Sequence, residues 1–218
     1  MTDSETGATI ARFYDAQAAG YDRRWAHYTA RSTELTLDAL PRLAPGARVL
    51  DVGCGTGHLL AALRDRDTGL ALSGVDVSEA MLARARARLG EQVTLFRAPA
   101  ERLPFDDTSF DAVVTLSALH HWPEPERGLA EMARVVTAGG GLVVTDWYRE
   151  SWPMRLMDAW LRLRDAAHHR ALTRRELAGL AAGAGFDIGS HTRHRIDRLW
   201  QLQVLTARRR GWAEAYPR

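Results

Sequence analysis

Two groups of residues stand out for the chemistry their types and spacing allow. In Val49-Leu50-Asp51-Val52-Gly53-Cys54-Gly55-Thr56-Gly57, glycines alternate directly after a short apolar run. That spacing lets the backbone turn tightly and approach a ligand without side-chain obstruction. The helix expected to follow offers free amides at its start, suited to a carboxylate or another anion. A dinucleotide fingerprint would place glycine at position 58; the chain has His58 there, which argues against NAD or FAD. The second group is Gly74-Val75-Asp76-Val77-Ser78. A carboxylate at the end of a strand can accept two hydrogen bonds from a ribose diol, and Ser78 is the better cap for the next helix.

The surrounding pattern alternates strand and helix. Helix is expected from about Thr9 to Leu40, broken by Leu43-Ala44-Pro45-Gly46. Strands are expected at Arg48–Val52, Leu72–Val77, Val93–Phe96, Phe110–Leu116 and Gly141–Trp147. Pro123, Glu124, Pro125 and Glu126 open a helix carrying Leu129, Met132, Ala133 and Val136 at helical spacing, and Gly139-Gly140 should stop it. Ser151-Trp152-Pro153 starts an amphipathic helix expected to reach about His169. Thr173-Arg174-Arg175-Glu176 is a capping box. Residues 188–196 and 199–207 should close as an antiparallel pair.

This order implies one α/β domain with a mainly parallel sheet, helices on both faces and a C-terminal antiparallel hairpin. Residues 1–40 form an N-terminal helical part of the domain that occupies 41–218. In such sheets ligands bind beyond the carboxyl ends of the strands.

The ordered set VLDVGCGTG, GVDVSEAML, AERLPFDDTSFDAVV, LSALHHWPEPERGLAEMARVVTAGGGLVV and ELAGLAAGAGF resembles the class I S-adenosylmethionine-dependent methyltransferases, above all the quinone-ring and natural-product group. The resemblance implies a seven-stranded Rossmann-like sheet under an N-terminal helical lid. It further implies that Gly53, Gly55 and Gly57 line the methionine portion of S-adenosylmethionine and that Asp51 meets its ammonium group. Asp76 would hold the ribose, Val77 and Met81 would pack on adenine, and Ala100 and Glu101 would lie at the adenine edge. By spacing alone Met81 is a core residue, and it can be both. Pro99 stands where the family commonly has an aspartate for the adenine amino group. Leu116 could offer its carbonyl to the ammonium. Tyr21, in the lid, either touches the cofactor carboxylate or packs on the sheet.

Methyl transfer from a sulfonium is an in-line displacement, so the protein mainly aligns the acceptor and excludes water. Only an acceptor such as a phenol or protonated amine needs a base. His120-His121 is the candidate pair. In the related cyclopropane-forming lipid enzymes an acidic residue corresponds to His120, so His120 is expected to face the pocket and His121 the scaffold. His120 is then either a base or simply part of the wall. The helix bearing Trp152, Leu156, Met157, Trp160 and Leu163 either covers the sheet or, with Trp122, Trp147 and Tyr148, lines an apolar or aromatic acceptor pocket. No metal is expected. Adjacent residues such as His168-His169 point about 100° apart on a helix, and the catechol-type metal site usually includes asparagine, which this chain lacks.

Composition narrows the classes. With 218 residues, 46% hydrophobic and 26% charged, the chain can bury a substantial core. All 29 basic residues are arginine, which reads as base composition more than as a nucleic-acid surface, so nucleic acid is disfavoured as a partner. No apolar run approaches the roughly 20 residues of a membrane span. Neither a signal peptide nor membrane insertion is expected, and the single Cys54 suits a reducing cytoplasm. The expected partner is a small-molecule methyl acceptor, and the expected state monomer or homodimer. The competing readings are a nicotinamide oxidoreductase, a cofactor-binding protein without turnover, and a methyltransferase for RNA or protein.

Overall fold

The computed structural model describes residues 3–165 and 167–211, with side chains from residue 7 onward. Helix α1 (Asp3–Gln17) begins earlier than the sequence suggested, and a single turn at Ala18–Gly20 separates it from α2 (Tyr21–Ala39). The expected long helix is therefore two, joined where Gly20 supplies no side chain to stabilise a turn.

Seven strands follow: β1 (Arg48–Val52), β2 (Ala71–Asp76), β3 (Thr94–Arg97), β4 (Phe110–Leu116), β5 (Val136–Trp147), β6 (Phe186–Arg195) and β7 (Gln201–Arg209). Their spatial order is β3-β2-β1-β4-β5-β7-β6. The first five pair in parallel, whereas β7 runs antiparallel to both β5 and β6. This is the expected doubly wound sheet with its C-terminal hairpin. The strand order reverses between β1 and β4, so a crevice opens at their carboxyl ends.

The central strands are apolar without interruption because both faces are covered. Leu50, Val52, Val113, Leu142 and Val144 pack towards α5 (Pro125–Val135) and α7 (Arg174–Gly183). The alternate residues Val49, Val114 and Val143 pack with Leu59 and Leu63 of α3 (His58–Arg66) and Leu82 of α4 (Glu79–Leu89). The caps read from the sequence are present. Ser78 Oγ accepts from the amide of Met81 at 3.1 Å, and Thr173 and Glu176 form the reciprocal box.

Two boundaries differ. Gly139-Gly140 does not end a helix; α5 stops at Val135 and β5 begins at once, with a register shift before Gly141 pairs with Ala112. The helix after β5, α6 (Trp152–Arg164), ends well before His169. Its chain is drawn away as the amides of His169 and Arg170 both donate to the carbonyl of His120, at 3.1 and 3.0 Å. Among the described residues no helix is long and apolar enough to cross a membrane.

Candidate functional site

A cavity of about 520 Å³ opens at the carboxyl ends of β1, β2 and β4, with α1 and α2 forming its opposite wall. Its floor is the glycine turn. Gly53 and Gly55 line it at φ +79° and +52°, a region where side chains are disfavoured. A Cβ on Gly53 would lie 2.4 Å from that of Ala118, so this position also demands glycine sterically. Gly57 does not line the cavity. Its φ is +78°, and a Cβ there would meet Leu89 at 2.8 Å, so its role is to let α3 and α4 pack closely.

Asp76 ends β2 and joins both sides of the crevice. Its Oδ2 accepts from the amide of Gly55 at 2.8 Å, and its Oδ1 from the amide of Ser78 at 2.9 Å. Burial pushes its carboxyl upward despite those amides. Asp51, in β1, is buried more severely. Burial, and secondarily the charge of Asp76, push it up to about 8, and its Oδ1 has no hydrogen-bond partner. Glu101 also lines the cavity with a buried, unpartnered Oε1, and burial raises its carboxyl. Val77, Met81, Ala100, Leu116 and Tyr21 complete the wall.

The histidine pair is arranged the other way round from expectation. His121 lines the cavity, and His120 is turned into the sheet. Nδ1 of His120 lies 2.6 Å from Oδ1 of Asp146 in β5, and its ring stacks on Trp147 with centroids 3.9 Å apart. Nδ1 of His121 lies 2.7 Å from the carbonyl of Ala167, which can only accept, so this nitrogen carries the proton. Its Nε2 therefore accepts from the hydroxyl of Tyr14.

The aromatic candidates divide similarly. Trp122 lines the cavity, while Trp147 and Tyr148 are buried elsewhere, the Tyr148 hydroxyl donating to Glu150 at 2.7 Å. Trp152 and Trp160 are 74% and 55% exposed and are not among the residues that line the cavity. Helix α6 packs Met154, Leu161 and Asp158 inward, Met154 and Leu161 against Trp147 and Leu202, whereas Trp152, Leu156, Trp160 and Leu163 of its apolar stripe are exposed and line no part of the cavity.

Several residues escaped sequence reasoning. Asp15 accepts from Ser78 Oγ at 2.6 Å and from the amide of Ala80 at 3.1 Å, fastening α1 to the start of α4. Asp22 fastens α2, accepting from Thr56 Oγ1 at 2.7 Å and from Arg88 at 2.6 Å. Burial opposes the charge of Asp22, but the bonds from Thr56 and Arg88 outweigh it and hold its carboxyl low. Tyr28 bonds Ser117 Oγ at 2.6 Å, and Ser117 itself holds a left-handed φ of +53° in the cavity wall. A non-glycine residue in that region is a strain often found at functional sites. Only the positions of Tyr14, Tyr21 and Tyr28, one helical face apart, could have signalled the tyrosine wall.

A methyltransferase-domain family model matches residues 50–144. The phosphatidylethanolamine N-methyltransferase of Cereibacter sphaeroides is 36% identical over 155 residues, covering 66% of this chain and 74% of the relative. The chain belongs to the class I S-adenosylmethionine-dependent methyltransferases. The demethylmenaquinone methyltransferase of Clavibacter sepedonicus is 35% identical over 156 residues, covering 69% of this chain; the match spans 63% of that relative's length. The fold is shared with the 1,6-didemethyltoxoflavin-N1-methyltransferase of Burkholderia thailandensis, at a TM-score of 0.75 and 21% identity over 97% of this chain and 92% of that one.

The residues present fit the family's cofactor. Asp51 and Glu101 each hold out a buried carboxylate oxygen that lacks a donor, and S-adenosylmethionine carries donors in its ammonium and adenine amino groups. Leaving such oxygens unpaired is costly, so a ligand that satisfies them is favoured.

Proposed function

We propose that this chain transfers a methyl group from S-adenosylmethionine to a small molecule with an apolar or aromatic body. The observation that carries this reading is the pair of unpartnered oxygens, Asp51 Oδ1 and Glu101 Oε1, in one cavity with Asp76. Asp51 takes the cofactor ammonium and Asp76 the ribose hydroxyls, while Val77 and Met81 pack on the adenine. Glu101 supplies the acceptor for the adenine amino group that Pro99 cannot provide.

The cofactor contributes a methyl group already activated by its cationic sulfur. The chain's own work is to align the acceptor and keep water out. Tyr14, Tyr28, His121 and Trp122 line the part of the cavity suited to an aromatic acceptor. His120 supports them from behind by fixing the turn and does not face the acceptor. A reducing, cytoplasmic setting suits the buried free thiol of Cys54.

The test is transfer of labelled methyl from S-adenosylmethionine in a mixture of hydroquinones, phenols, amines, RNA and protein. Label in the small-molecule fraction supports the reading. Label confined to macromolecules, or no transfer despite cofactor binding, contradicts it.

A further inference from the structure

We propose that His120, His121 and His168 form a binding site for a divalent transition-metal ion of the zinc class. One ring nitrogen of each lies within 4.8 Å of one from each of the others. His120 and His121 come from the turn after β4, and His168 from the segment after α6. His120 and His168 are buried, and the ring of His121 stands in the cavity wall.

The arrangement behind the rings is more specific than their proximity. Nδ1 of His120 is held by Asp146 at 2.6 Å, Nδ1 of His121 by the Ala167 carbonyl at 2.7 Å, and Nε2 of His168 by Asp158 at 2.9 Å. Each imidazole thus has one nitrogen fixed by a carboxylate or carbonyl. Such partners set the tautomer and aim of imidazole ligands in metal sites, leaving the opposite lone pair for the ion. Those opposite atoms are His120 Nε2, His121 Nε2 and His168 Nδ1. The last is buried and has no hydrogen-bond partner, a condition an ion would relieve. Asp146 and Asp158 place negative charge behind two of the rings, with Arg149 3.3 Å from Asp158 as a partial counterweight.

Imidazole donors suit zinc and its neighbours better than calcium or magnesium. Tetrahedral bonds of about 2.0–2.1 Å require donors about 3.4 Å apart, so an entering ion must draw the three nitrogens together from a spacing of up to 4.8 Å. The hydroxyl of Tyr14 now occupies Nε2 of His121 and must release it for the ion to enter. Of the adjacent pair His168-His169, which lies beyond the end of α6 and not on a helix as expected, only His168 belongs to the cluster.

The experiment uses tag-free, full-length protein stripped with a chelator, and it is independent of methyl transfer. Titration with Co²⁺ should give the visible bands of a tetrahedral site, saturate at one equivalent, and be reversed by one equivalent of Zn²⁺. His168→Gln and His121→Gln should each weaken Co²⁺ binding at least tenfold, whereas His169→Gln should bind as wild type does. Circular dichroism and cooperative thermal unfolding establish which variants are folded, and His121→Gln, in the cavity wall, decides the matter if His168→Gln does not fold. Substoichiometric binding by the wild type, or equally tight binding by a folded His168→Gln or His121→Gln variant, overturns the proposal.

Discussion

Nδ1 of His120 lies 2.6 Å from Oδ1 of Asp146, so the first histidine of the pair is a strut between the turn after β4 and strand β5. Its removal should be felt in stability before it is felt in ligand binding. Replacing His120 with Leu removes a buried hydrogen bond to a carboxylate, a loss of about 1.5–3 kcal/mol. Urea unfolding should show that loss while a folded variant keeps its S-adenosylhomocysteine affinity. Unchanged stability, or a selective loss of cofactor affinity, would contradict the placement.

Asp76 has two duties, which a conservative replacement separates from gross disruption. Asp76→Asn keeps an acceptor for one backbone amide but loses the charge and one acceptor oxygen. Cofactor affinity should fall at least tenfold, in line with a loss of about 1.5–3 kcal/mol for a charge-assisted bond. The thermal midpoint should fall too, because the carboxylate bridges Gly55 and Ser78. Calorimetry that finds wild-type affinity in a folded variant excludes the ribose role.

Asp51 makes both stability and binding depend on pH. Its carboxyl is pushed up to about 8, mainly by burial and then by Asp76. A carboxyl raised in the folded state contributes stability that is complete below its unfolded value of about 3.9 and is lost as pH rises through the folded value. The free protein should therefore lose this contribution between about pH 4 and 8, and Asp51→Asn should flatten that part of the profile. A cationic ammonium beside Asp51 favours the carboxylate, so cofactor binding near pH 7 should release protons. Binding heats in buffers of different ionisation enthalpy measure the release; identical heats would refute it.

Trp152 and Trp160 offer a test of what the fold leaves outside the site. Both are largely exposed on α6, so the double replacement Trp152→Gln, Trp160→Gln should change stability by no more than about 0.5 kcal/mol per site. Cofactor affinity should not change. A tenfold loss would mean that α6 closes on the cavity.

Much of this was written in local patterns. The buried strands, the alternate-glycine turn, Asp76 at the end of β2 and the Ser78 and Thr173 caps each depend on neighbours a few residues away. What the sequence concealed depends on distant partners. Which histidine faces the cavity is decided by Asp146, 26 residues on, and by Tyr14, 107 residues before His121. The end of α6 carries no glycine or proline; it is set by Asp158 accepting from Ala171 and His168, and by the His120 carbonyl. The exposed stripe of α6 has the spacing of a core helix, and periodicity alone does not say what covers it.

The cavity over Gly53, Gly55 and Asp76 has the lining that S-adenosylmethionine needs. Calorimetric titration of the purified chain with S-adenosylhomocysteine and, separately, NAD tests it most directly. S-adenosylhomocysteine should fill one site with a dissociation constant of about micromolar order, near −8 kcal/mol, and NAD should bind at least a hundredfold more weakly. Equal or tighter binding of NAD, or no binding of S-adenosylhomocysteine by the folded protein, would contradict it.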